Sequence, residues 1–219
     1  ATTTGDIEGE IIQNCPVPDI GPGRLAEKLG RFVGEIEQIP PMYSALKHQG
    51  KPLYEYARAG IEIERPARKV VIHQLELADW QVPRLVFTVH CSKGTYVRTL
   101  ADDIASALGS CAHLVGLRRT LVEPFAGHAM VTLEQLQDAR DQGQLQEHML
   151  PIDTGLLDWP RVDLDAEQQG KFSHGNQFPF VIESAKTGKV RVYGVEDNIL
   201  GLAILTGENI LQPMKVFNL

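Results

Sequence analysis

Residues 85–109 constrain the fold more than any other stretch of this chain. From Leu85 to Cys91 apolar and polar side chains alternate, with Phe87, Val89 and Cys91 on one face, as in a half-buried strand. From Thr99 to Leu108 the apolar spacing becomes helical through Leu100, Ile104 and Leu108, and Gly109 is a natural residue just past a helix end. Between the two, Ser92, Lys93, Tyr96 and Arg98 fall within seven residues around Gly94. A strand that turns through glycine into a helix collects polar side chains at its end, and glycine lets backbone approach a ligand closely.

The rest of the chain divides into two compositional zones. Up to about residue 153, helical and strand patterns are mixed. Arg24–Val33 places Leu25, Leu29, Phe32 and Val33 on one helical face, and Thr132-Leu-Glu-Gln135 has the capping-box pattern of a helix start. Beyond the loop at 153–160 the chain turns β-rich. Val190–Val195 and Ile199–Leu205 flank Glu196-Asp197-Asn198, a hairpin signal. Ile210–Phe217 adds a strand interrupted by Pro213, which points to a sheet edge. These short strands suggest a small barrel or sandwich appended to the main domain, and set the expected domains at 1–153 and 154–219.

The 219 residues carry a formal charge of −7, which alone argues against a nucleic-acid partner. The distribution argues otherwise. Residues 41–70 hold Lys47, Lys51, Arg58, Arg65, Arg68 and Lys69 against only Glu55, Glu62 and Glu64. Residues 91–120 hold Lys93, Arg98, Arg118 and Arg119 against Asp102 and Asp103. A cationic face on an acidic body meets phosphate contacts, although windows this small also fluctuate by chance. Within the first window, Ile39–Ser44 is extended around two prolines, Lys47–Pro52 reads as an exposed basic loop, and Leu53–Gly60 as a short helix with a glycine stop. That insertion suits a flexible clamp on a polyanion; an ordinary surface excursion has the same pattern.

Several chemistries find no support. Cys15, Cys91 and Cys111 have no Cys-x-x-Cys spacing, and the seven histidines show no HxxxH or HExxH spacing, so no metal centre is expected. No GxGxxG or Walker lysine calls for a nucleotide cofactor. No apolar run approaches the roughly 20 residues of a membrane span, and no secretory signal is visible at the start. Arg98 is the sharpest candidate, because its planar fork holds a carboxylate bidentately and keeps it charged; a surface ion pair is the plainer reading. Ser92-Lys93 on opposite faces of a strand make a poor nucleophile and base. Asp102-Asp103 read as dipole-favoured acids in a first helical turn, and Gly116-Leu-Arg-Arg-Thr120 as a backbone-touching loop or a solvated turn.

Four segments carry a resemblance. Thr2-Thr-Thr-Gly-Asp-Ile-Glu-Gly9, Gln38–Lys47 with Tyr54–Gly60, Cys91-Ser-Lys-Gly-Thr-Tyr-Val-Arg-Thr-Leu-Ala101 and Leu117-Arg-Arg-Thr120 resemble, in order and spacing, the bacterial TruB-type tRNA pseudouridine synthases. The resemblance covers about 1–153; the last part is similar to that family's PUA-like RNA-binding domain in position and β character. It implies an α+β fold with a mainly antiparallel sheet, a cytoplasmic monomeric isomerase, and no metal or cofactor. The substrate it implies is uridine 55 in the T arm of tRNA, flipped out of its stack and attacked by a carboxylate. By the family pattern Arg98 pairs with that carboxylate, Tyr96 lines the uracil pocket and Leu117 touches the base. Lys93, Arg118 and Arg119, with Lys47 and Lys51 of a "thumb" at about 42–69, meet RNA. The family's nucleophile sits in a Gly-x-Leu-Asp-Pro-Leu-Ala string that this sequence lacks and that is expected ahead of Ala1, as is the family's Lys-x-Tyr segment. The chain alone is therefore expected to be inactive. A non-catalytic RNA-binding or tRNA-folding protein on the same scaffold is the alternative, and a Ser92-Lys93 hydrolase a second one.

Overall fold

The computed structural model describes residues 1–181 and 187–217. The chain forms two compact units that meet in sequence between Arg118 and Arg119.

In the first unit, α1 (Pro22–Gly30) precedes β1 (Gly34–Gln38), a hairpin of β2 (Lys47–His48) and β3 (Lys51–Pro52), α2 (Leu53–Arg58), β4 (Arg68–Gln81), β5 (Arg84–Cys91) and α3 (Val97–Ala107). The sheet order is β1-β4-β5, with both pairings antiparallel. The alternation along β5 holds: Leu85, Phe87, Val89 and Cys91 turn inward against Leu29 of α1, Ile72 and Leu75 of β4, and Leu100 and Ile104 of α3. Leu29, Ile72 and Leu100 are fully buried. Burial of each contributes about 1.5–3 kcal/mol, and together they hold both helices on one sheet face.

Two expectations for this unit change. Lys47–Pro52 is a tight hairpin, because Gln49 (φ 50°) and Gly50 (φ 81°) both take the left-handed conformation that a two-residue turn needs. Helix α3 starts at Val97, two residues earlier than the apolar spacing suggests, so Asp102 and Asp103 lie beyond its first turn. The N-terminal dipole therefore does not account for them.

The second unit contains α4 (Leu133–Asp141), β6 (Arg161–Asp163), α5 (Ala166–Ser173), β7 (Phe178–Pro179), β8 (Gly188–Tyr193), β9 (Ile199–Leu205) and β10 (Ile210–Val216). Thr132 caps α4 through the expected capping box with Gln135. The strands form one sheet in the order β6-β8-β9-β10-β7, antiparallel except for β6 beside β8. Asp197 (φ 58°) turns the β8–β9 hairpin as expected. Phe172 of α5 is fully buried against Val190, Val192, Ala203 and Leu211. The strand with Pro213 is flanked on both sides and is not at the sheet edge. Its outer neighbour β7 reaches only Ile210 and Leu211, and Pro213 sits where the β9 register shifts, so its missing N–H leaves no gap in the ladder. The architecture is the expected α+β type, mainly antiparallel, with a β-rich C-terminal region.

Candidate active site

The turn between β5 and α3 is built by its own polar side chains. Ser92 extends the sheet by one residue: its N–H donates to Val71 O (2.8 Å) and its Oγ accepts from Val71 N–H (2.9 Å). That commits the Ser92 hydroxyl to the backbone, and Lys93 stands exposed in the turn. Gly94 (φ 87°) makes the bend, and Thr95 Oγ1 donates back to Ser92 O at 2.9 Å. Tyr96, the N-cap residue of α3, has no side-chain cap. Gln38, 2% exposed at the end of β1, substitutes for one: Tyr96 N–H donates to its Oε1 (3.0 Å) and its Nε2 donates to Tyr96 O (3.3 Å).

This frame aims Arg98 at the N-terminal segment. Nη1 donates to Thr4 O and to Asp6 Oδ2, both at 3.0 Å, and Nη2 donates to Tyr43 O at 2.7 Å. Asp6 is fixed in turn. Thr4 Oγ1 donates to its Oδ1, and Asp6 joins Leu114 in a parallel bridge. Gly5 (φ 74°) folds the segment so that its Cα packs over Arg98; a Cβ there would lie 3.5 Å from Arg98 Cβ. The Thr4 hydrogen bond, followed by the Glu8 N–H and the Arg98 charge, holds the Asp6 carboxyl below its ordinary range despite burial. One guanidinium thus ties together three segments far apart in sequence.

Arg98 faces a cavity of about 550 Å³ walled by Thr2–Gly5, Ile39–Pro41, Tyr43, Arg65 and, from α3, Thr99, Asp102 and Asp103. Burial, and secondarily Asp102, push the Asp103 carboxyl up. Arg65 also lines an adjoining cavity of about 70 Å³ beside Lys47 and His48, with its Nε buried and unpaired among the described residues. Two guanidinium groups and a carboxylate pair put both signs of charge on one concave wall, which suits a polar ligand.

The anticipated site residues do not all converge. Arg98 lines the large cavity and Lys47 the small one, whereas Tyr96, Lys93 and Leu117 line neither. Leu117 is 67% exposed, and Arg118 and Arg119 are exposed too. Lys51 lies 3.8 Å from Glu55 and 4.9 Å from the Tyr56 ring centroid, just ahead of α2. The residues that sequence reasoning left without a role are Asp6 and Gln38; Arg65, read there only as one of the insertion's basic charges, lines both cavities. Asp6 and Gln38 lie inside segments that carried the resemblance, and only their long-range hydrogen bonds distinguish them. Among the described residues no group of His, Cys, Asp and Glu is placed to hold a metal ion, and no helix is long and apolar enough to cross a membrane.

Three family profiles tile the chain. TruB family pseudouridylate synthase (N terminal domain) matches residues 1–97, tRNA pseudouridylate synthase B C-terminal domain matches 98–157, and Pseudouridine synthase II TruB, C-terminal matches 160–217. Proteins called tRNA pseudouridine synthase B are similar over nearly the whole chain. That of Histophilus somni (strain 2336) is 42% identical over 218 residues, 98% of this chain and 70% of its own length. That of Burkholderia mallei (strain NCTC 10247) is 46% identical over 220 residues, 98% of this chain and 72% of its own. Among solved structures, a Cbf5-Nop10-Gar1 complex matches 94% of this chain and 65% of the matched chain, with a TM-score of 0.65 and 22% identity. An H/ACA RNP bound to a substrate RNA containing 2'-deoxyuridine matches 92% of this chain and 62% of the matched chain, with a TM-score of 0.65 and 20% identity. These two likenesses speak for the fold, and the curated relatives for the family. With its Arg98-centred site set between segments that match those relatives throughout, the chain belongs to the TruB family of pseudouridylate synthases.

Proposed function

We propose that these residues are part of a tRNA pseudouridine synthase acting on uridine 55 of the T arm, with the cavity beside Arg98 receiving the flipped nucleotide. The relatives' names support tRNA as the substrate, and the observation that carries the reading is Arg98. Its fork is held by Asp6, Thr4 and Tyr43 at the wall of a polar cavity large enough for a nucleotide. An arginine held in this way keeps a neighbouring carboxylate ionised and oriented, as a nucleophile toward a glycosidic carbon requires.

The uridine leaves its stack so that the glycosidic bond is exposed. A carboxylate outside these 219 residues attacks and the base detaches; the base turns and rejoins through C5, the carboxylate leaves, and the proton lost from C5 is matched by one gained at N1. Arg98 positions the carboxylate, Tyr96 borders the uracil and Leu117 touches the flipped base. Lys93, Arg118, Arg119, Lys47 and Lys51 meet the phosphates. The insertion at 42–69 closes over the T loop, and residues 154–219 form a PUA-like RNA-binding domain. The enzyme works as a cytoplasmic monomer.

The test is tritium release from a T-arm hairpin carrying 5-tritiated uridine, with the 219-residue chain and with the whole gene product in parallel. Release by the whole product alone is expected. Release by the chain itself would put the nucleophile among its own carboxylates. Hairpin binding without release by either would favour a non-catalytic RNA-binding role.

A further inference from the structure

Cys15 and Cys111 lie far apart in sequence, yet the segments that carry them are laced together. Ser110 Oγ donates to Pro16 O at 2.9 Å, and the Cys111 thiol donates to Gln13 O at 3.7 Å. The residues on either side of Cys15 are therefore the ones that hold Ser110 and Cys111. Both thiols are half-buried, so a small reagent reaches them. The third cysteine, Cys91, lies at the end of β5 and packs against the sheet core.

We propose that Cys15 and Cys111 are a redox-reactive pair that closes to an intramolecular disulfide under a peroxide, and that this bond covalently ties the 13–16 strap to the loop after α3. The two segments are already held at hydrogen-bonding distance, and Cys15 stands two residues from the carbonyl that takes the Cys111 thiol, which favours closure over pairing with a distant cysteine. The thiols also differentiate one another. The contact with Cys15 and the Ala1 ammonium, 3.5 Å from Cys111 Sγ, favour the Cys111 thiolate against burial, whereas the same contact and burial push the Cys15 thiol up. Cys111 is thus the attacking sulfur and Cys15 the resolving one.

The reaction balances with hydrogen peroxide as the oxidant. The Cys111 thiolate attacks one peroxide oxygen, the O–O bond breaks, and hydroxide leaves to be protonated to water. Cys111 becomes a sulfenic acid. Cys15 then attacks that sulfur, the S–S bond forms, and the S–O bond breaks. The departing hydroxide takes the proton that Cys15 gives up, as a second water. Two thiols lose two electrons and one peroxide gains them. A dithiol reductant reverses the bond by exchange.

The bond bears on the cavity wall. Gln13 and Ala112, neighbours of the two cysteines, both line the large cavity beside Thr2–Gly5. Closing the pair pins that wall to the helix that carries Arg98. In a reducing compartment the pair rests as thiols, so the disulfide marks oxidative exposure and is not a structural staple.

The test titrates the chain with hydrogen peroxide, counts free thiols and maps peptides without reduction. The expected result is loss of two thiols of three, a mass lower by two hydrogens, a linked peptide pair containing Cys15 and Cys111, and full recovery with dithiothreitol. Cys91→Ser should leave this unchanged, and Cys15→Ser or Cys111→Ser should each abolish it. The oxidised chain should also unfold at higher urea than the reduced one, a difference that Cys15→Ser removes. A link that involves Cys91, a link only between molecules, or oxidation of Cys111 to sulfinic acid without a cross-link would overturn the proposal. None of these readouts depends on pseudouridylation.

Discussion

Arg98 Nη1 and Asp6 Oδ2 lie 3.0 Å apart although 92 positions separate them in the chain. The same guanidinium holds Thr4 O and Tyr43 O. It is the knot at which the N-terminal turn, the segment around Tyr43 and α3 are joined, and it lines the cavity wall.

Arg98→Lys keeps the charge and loses the fork. One ammonium cannot reach all three acceptors, so at least one is left unpaired at a cost of about 1–3 kcal/mol. In the whole gene product, turnover on the T-arm hairpin should fall roughly 100-fold, the scale of a misplaced reacting group. Binding of the hairpin should change little; equal losses in turnover and affinity would remove Arg98 from the positioning role.

Asp6→Asn should loosen the same knot without emptying it. Because the folded state holds the Asp6 carboxyl below its ordinary range, its contribution is present above the unfolded value and is lost as pH falls through the folded one. The stability difference between wild type and Asp6→Asn, followed by urea titration, should therefore be full at pH 7 and shrink below about pH 4.

Gln38→Leu removes the side chain that caps the start of α3, and strands the Tyr96 N–H in a half-buried place. A loss of about 1–3 kcal/mol is expected from urea midpoints of the first unit's transition. Gln38→Glu should retain the accepting bond and lose the donating one, with a smaller effect.

In the second unit Asp153 accepts from Arg191 Nη1 at 2.5 Å and from the Tyr193 hydroxyl, and it is 5% exposed. Burial raises its carboxyl, but those two partners outweigh that and leave it low. Asp153→Asn breaks a buried pair and should cost about 3–5 kcal/mol. Asp163→Asn, in the exposed pair with Arg161, should cost less than about 1 kcal/mol. Acid should destabilise this unit as pH falls below about 4, where the unfolded chain's carboxyl takes up a proton that folded Asp153 still refuses, and Asp153→Asn should flatten that limb.

Lys47→Gln with Lys51→Gln should weaken RNA binding and reduce its salt slope by about 1.4, at about 0.7 for each phosphate no longer neutralised on a single strand. Arg65 is better left in place, since its side chain is only 18% exposed and its replacement would disturb the wall between two cavities. An unchanged slope would make the hairpin at 47–52 a bystander.

What is legible in the amino-acid order follows from the range of the forces. The β5 alternation, the capping box at Thr132, the turn at Asp197 and the stop at Gly109 each depend on neighbours within a few residues, and each stands where the pattern puts it. Apolar spacing places the start of α3 two residues late because its cap is Gln38, from another strand. The proline rule places this strand at an edge because sequence cannot show β7 beside β10; β7 reaches no further than Leu211, so Pro213 itself keeps an uncovered side.

The amino-acid order by itself determined the α+β class, the family and Arg98 as the central side chain, since periodicity, turn chemistry and motif spacing are local properties of the chain. Only the tertiary structure decided what Arg98 holds, which carboxylates share its cavity, and that Cys15 lies beside Cys111. The longest of those relationships, Arg98 to Asp6 and Cys111 to Gln13, span 92 and 98 positions. They exist only once burial of Leu29, Ile72 and Leu100 has brought the helices onto one sheet face and set their loops side by side.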